Sequence, residues 1–97
     1  MYPSLVFESF DGAQMYVSNY GAATDPHVFH AMGITHVVNC TPDVSFVEGV
    51  NTSVATIRVP VHDVAEADMT PYLQEVFAFM QEAFNNKQKV LVHCKHG

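Results

Sequence analysis

The residues that could do chemistry stand together at the end of the chain. Val90-Leu91-Val92 reads as an apolar strand running straight into His93 and Cys94, followed by Lys95, His96 and Gly97. A strand that delivers a cysteine into a turn ahead of a helix start places its sulfur among backbone N–H groups and a favourable helix dipole. Such surroundings lower a thiol pKa to about 3.5–7.5. A thiolate held in this way is a good nucleophile at phosphorus, and a covalent intermediate divides hydrolysis into two easier steps. Cys94 is therefore the candidate nucleophile, against the plainer alternative of a packed structural thiol. Lys95, His96 and Gly97 would lend backbone N–H groups to a bound phosphate, and Gly97 permits a turn closed to β-carbons. Completing that turn takes further residues, including a cation for the phosphate. They are expected from beyond residue 97, within a longer chain or on a separate one, and residues 1–97 alone are expected to be inactive.

The bulk composition narrows the setting. Ninety-seven residues, 48% apolar and 14% charged, suit part or all of one globular domain. Ten acids against Arg58, Lys87, Lys89 and Lys95 leave a formal charge of −6. This argues against a nucleic-acid surface, which needs clustered cations, but not against local phosphate binding by backbone amides. No apolar run approaches the ~20 residues of a membrane helix. The first residues have neither the basic start nor the apolar core of a signal peptide. Two cysteines without such a signal point to a reducing compartment, and the cytoplasm is expected. His27 and His30 share one side of a helix, but no carboxylate joins them at ligand spacing. Neither metal nor cofactor is expected, and surface or capping roles are expected for the histidines.

These residues need elements to position them. Residues 14–17 read as a strand entering the turn cluster Ser18-Asn19-Tyr20-Gly21. Thr24 or Asp25 can cap a helix whose first position is Pro26 and whose stop is Gly33. Residues 34–39 and 54–59 are β-branched strands, with a loop between them and Pro60 after the second. Thr70 as cap and Pro71 as first residue open the clearest helix, with Leu73, Val76, Phe77, Met80 and Phe84 on its apolar side. Lys87 and Lys89 follow where they would complement its C-terminal dipole. The alternation implies an α/β fold, a mostly parallel central sheet flanked by helices. Both clear helices precede the final strand, so one sheet face is expected to be short of cover.

The signature His93-Cys94-Lys95-His96-Gly97 resembles the first five positions of the HCxxGxxR loop of cysteine-dependent protein phosphatases, in their dual-specificity branch. The likeness is wider than the loop. Gly33-Ile34-Thr35-His36-Val37-Val38-Asn39 resembles the "GITHVLN" segment of these domains, and Tyr16 to Ala23 resembles their early strand and turn. Val61-His62-Asp63, with Asp68-Met69-Thr70-Pro71-Tyr72-Leu73, resembles their acid loop and the helix after it. The resemblance implies a phosphotyrosine-phosphatase-like fold, of which residues 1–97 are the N-terminal part of a single catalytic domain. The signature arginine and the hydroxyl after it are not among these residues.

By the same resemblance Asp63 is the candidate general acid, with Glu66 and Asp68 as rivals on proximity. A carboxylic acid on a closing loop can protonate the leaving oxygen and then activate water. His93 is implied to hold the loop and tune the thiol. The expected activity is hydrolysis of phosphotyrosine and phosphoserine or phosphothreonine proteins through a phosphocysteine. Alternatives are an inactive phosphate-binding module and a phosphoinositide phosphatase, since some relatives with lysine after the nucleophile take such lipids. A rhodanese-like sulfur carrier accounts for neither Asp63 nor residues 33–39. Cys40 reads first as a thiol packed under a loop. A reversible disulfide with Cys94, as in some lipid-directed relatives, is a further hypothesis.

Overall fold

The computed structural model describes residues 2–61 and 70–95. Asp63, Glu66 and Asp68, and with them the whole acid-loop expectation, lie outside the described residues, as do His96 and Gly97. The elements run β1 (Ser4–Glu8), β2 (Gln14–Ser18), α1 (Tyr20–Ala23), α2 (Pro26–Met32), β3 (His36–Asn39) and β4 (Ala55–Arg58). A 3-10 turn (Thr70–Tyr72), α3 (Leu73–Asn85) and β5 (Lys89–His93) follow. The five strands form one sheet in the order β1-β2-β5-β3-β4. β1 pairs antiparallel with β2, and the β2–β5, β5–β3 and β3–β4 pairs are parallel.

Local chemistry accounts for several of these boundaries. Asp25 caps α2, its carboxylate accepting from His27 N at 2.9 Å, and Pro26 occupies the first turn, where a missing N–H is harmless. Gly33 ends α2 in the left-handed region, φ 68°. Asn19 caps α1, a short helix in what reads from sequence as a turn cluster. The start of α3 differs from expectation. Thr70 and Pro71 lie in the 3-10 turn, and the N-cap of α3 is Tyr72, which makes no side-chain capping bond. Lys89 also differs. Its ammonium donates to Met32 O at 2.9 Å, so it caps α2, not α3. The reason is the parallel sheet, which brings the start of β5 beside the end of α2.

Alternation along β5 divides the core in two. Leu91 packs with Tyr16, Val37, Phe29, Val28 and Ile34 beneath α1 and α2. Val90 packs with Val38, Val59, Val76 and Ala83 beneath α3. Each face therefore carries helix, and the expected shortage of cover is local. Val76, Met80 and Ala83 form the row of α3 that meets the sheet. Leu73, Phe77 and Phe84 lie roughly 80° further round the helix. Phe84 meets Phe7 of β1 at 5.5 Å between ring centroids, while Leu73 and Phe77 stay exposed. A polar residue of α3 completes the packing. Glu82 Oε2 reaches His36 Nε2 at 2.5 Å, and Thr35 Oγ1 meets the other ring nitrogen at 2.8 Å. His36 is thus a buried tie between β3 and α3, contrary to the expectation of a surface or capping histidine. The exposed His30 does act locally, accepting from Asn51 N at 3.0 Å.

Candidate active site

Parallel strands bring their carboxyl ends to one rim, where sites of α/β folds form. Here β5 ends at His93, β3 at Asn39 and β4 at Arg58, and the register pairs Asn39 with both His93 and Arg58. Cys94 is the next residue after β5 and Cys40 the next after β3. Cys40 N donates to His93 O at 2.8 Å, which extends the ladder past the strand ends and holds the two cysteines side by side. Both thiols are free and half-buried. Burial pushes the Cys40 thiol up, and the neighbouring Cys94 adds to the effect. Both effects disfavour the Cys40 thiolate.

His93 is buried, and its ring turns back on its own loop, Nδ1–H donating to the Cys94 carbonyl at 3.2 Å. Burial lowers its pKa; the Arg58 guanidinium acts in the same direction and the bond to the Cys94 carbonyl opposes. The ring is thus tied to the backbone beside the Cys94 thiol.

Three residues of this rim were not marked as functional in the sequence. Asn39, fully buried, donates from Nδ2 to Val44 O at 2.8 Å. Its Oδ1 accepts from Thr41 N at 3.1 Å and from Thr41 Oγ1 at 2.6 Å. Val44 N returns a bond to Thr41 Oγ1 at 3.0 Å. Arg58 adds two more, from Nη1 to Thr41 O at 2.9 Å and from Nη2 to Val44 O at 2.8 Å, and its guanidinium lies 4.9 Å from the centre of the Phe46 ring. The turn from Cys40 to Val44 is thereby fastened at both ends. Between them stands Asp43, whose carboxylate lies 3.7 Å from Lys95 Nζ. Asn39 and Arg58 each close a strand at the carboxyl rim, the signal available for Arg58, while Asn39 also ends the family-like segment 33–39.

Of the expected site residues, the structure brings Cys94, His93 and Lys95 together at this rim. Among the described residues, no group of three or more histidine, cysteine or acidic side chains is placed to hold a metal. No helix of the described residues is long and apolar enough to cross a membrane.

The profile of the dual specificity phosphatase catalytic domain matches residues 15–97, from the second residue of β2 through β3, β4 and β5 to Cys94 and beyond. The chain belongs to the dual-specificity phosphatase family. Mouse "Protein phosphatase Slingshot homolog 1" is 27% identical over 96 residues, covering 98% of this chain and 8% of that protein. Mouse "Dual specificity protein phosphatase 12" is 29% identical over 84 residues, 86% of this chain and 25% of that protein. The chain thus spans a quarter or less of these curated relatives. Among solved structures, a mouse putative dual specificity phosphatase complexed with zinc tungstate superposes with a TM-score of 0.79 at 27% identity. That alignment covers 100% of this chain and 58% of that one. The five-stranded mixed sheet with flanking helices is thus a dual-specificity phosphatase fold.

Proposed function

We propose that residues 1–97 are the N-terminal part of a single dual-specificity phosphatase domain that hydrolyses phosphotyrosine and phosphoserine or phosphothreonine proteins. The Cys94 thiolate attacks phosphorus and displaces the side-chain oxygen of the substrate, leaving a phosphocysteine. Asp63 protonates that oxygen as the P–O bond breaks. It then takes a proton from the water that releases inorganic phosphate and restores the thiolate. Backbone N–H groups of Lys95, His96 and Gly97 stabilise the phosphoryl oxygens, and His93 holds the Cys94 carbonyl. The observation that carries this reading is the delivery of Cys94 by a buried parallel strand to the carboxyl rim, in a chain whose family match runs through residue 97. A relative of the same fold complexed with tungstate, a tetrahedral oxyanion like phosphate, supports it. Two free thiols suit a reducing compartment, and action in the cytoplasm is part of the proposal.

The test is turnover of an aryl phosphate and of a phosphopeptide by the full-length protein. Cys94→Ser should lower the rate by at least about a thousand-fold. Asp63→Asn should lower peptide turnover by about 10²–10⁴-fold, and the loss should shrink for a leaving group that needs no proton. Residues 1–97 alone, without the signature arginine, should show no turnover. Full activity in Cys94→Ser would overturn the mechanism.

A further inference from the structure

The ion pair between Asp43 and Lys95 stands one residue past Cys94, the candidate nucleophile. At 3.7 Å, with side chains 64% and 50% exposed, it contributes little to stability. Its placement is nevertheless built. Asp43 lies between Thr41 and Val44, both anchored by Asn39 and Arg58. The same turn is joined to β5 through Cys40 N and His93 O. The carboxylate is thus held within reach of the first side chain after Cys94. An unpaired lysine there would attract any second anionic group beside the scissile phosphate, and a paired one would not.

We propose that Asp43 is a specificity-determining residue, a charge filter that restrains and neutralises Lys95. It favours substrates with one phosphate among neutral neighbours over substrates with a second phosphate beside the first. This rests on reading the segment from Cys94 onward as a phosphate loop. Asp43 acts through Lys95 and is a positioning residue, outside the bond-making steps.

The experiment uses the full-length protein as its Cys94→Ser form and two labelled peptides, read by fluorescence anisotropy. One carries a single phosphotyrosine between alanines, and the other adds a phosphoserine next to it. Asp43→Asn should tighten binding of the doubly phosphorylated peptide by about five-fold and the single one by about two-fold or less. Asp43→Glu should keep the native ratio. The shift should fade at 0.5 M salt, where the screening length is roughly 4 Å. In a Lys95→Met background at least half of it should vanish. An unchanged ratio in Asp43→Asn, or a shift indifferent to both salt and Lys95, overturns the filter. Aryl phosphate turnover by the Cys94 protein is scored beside it. Selective binding without turnover sinks the catalytic reading and leaves the filter standing. Turnover with an unchanged ratio does the reverse, and failure to bind either peptide sinks both.

Discussion

Replacing Asn39 by alanine should be among the most damaging single changes at this rim. The side chain is fully buried and makes three hydrogen bonds, one to Val44 O and two from Thr41. Each is worth a net ~0.5–1.5 kcal/mol, and a buried donor left without an acceptor costs about 1–3 kcal/mol. The losses are unequal. Val44 O keeps Arg58 Nη2, so its share is at the low end. Thr41 is buried, and its amide and hydroxyl both point at the missing oxygen, so its share is at the high end. The expected destabilisation is about 3 kcal/mol, seen as a fall of roughly 2–3 M in the urea midpoint if the slope is near 1–1.5 kcal/mol per molar. Far-UV circular dichroism of the full-length protein is the readout. Thr41→Val breaks the hydroxyl bond of this network from the other side and should cost about 1–3 kcal/mol, with the double variant well short of the sum. Thr41→Ser keeps the hydroxyl and should stay within about 1 kcal/mol. A loss under about 1 kcal/mol for Asn39→Ala, or full additivity with Thr41→Val, would refute the claim that this network carries the turn.

Four further outcomes follow from the structure. Alkylation of Cys40 should need a pH above the ordinary thiol range, and in Cys94→Ser its midpoint should fall only part of the way back, because burial persists. Peptide mapping after peroxide tests the disulfide hypothesis, and a peptide map without a Cys40–Cys94 link sinks it. The folded state lowers the His93 pKa below 6.5, so between the two values the unfolded chain binds more protons. Stability should therefore drop as pH falls through about 6.5 and level off below the folded pKa, and His93→Gln should lessen that slope. Lys87 sits at φ 58° just past α3, where a β-carbon is unfavourable. Lys87→Gly should raise stability by about 0.5 kcal/mol, the relief exceeding the extra chain entropy of glycine, and an equal or lower urea midpoint would contradict it.

Much of the fold was legible because its signals are local. Asp25-Pro26 at one end and Gly33 at the other bound α2 by capping chemistry alone. The continuous apolar run of β5 marked a strand, although the cover α3 gives one face of it was not foreseen, and His93-Cys94 marked its end as the candidate site. β1 escaped notice because all five of its residues are exposed, so it carries no burial pattern to read. Phe77 and Leu73 matched the helical period and still stayed exposed, since period identifies a stripe but not which half of it meets a neighbour.

What the amino-acid sequence determined by itself was the family and the α/β alternation, and it singled out Cys94 as the candidate nucleophile, because each rests on neighbours in the chain. The tertiary structure decided how the rim is assembled. Asn39, Asp43, Arg58 and Cys40 come from segments 36 to 55 residues away from Cys94; Asn39 ends the family-like segment 33–39 and Cys40 enters as a hypothesised partner of Cys94, whereas Asp43 and Arg58 carry no motif. Parallel pairing sets the ends of β3, β4 and β5 level, and the bonds across them turn four scattered residues into the surroundings of one thiol. Lys89 makes the same point in reverse. Its charge reads as belonging to the helix just before it, yet the sheet hands it to α2.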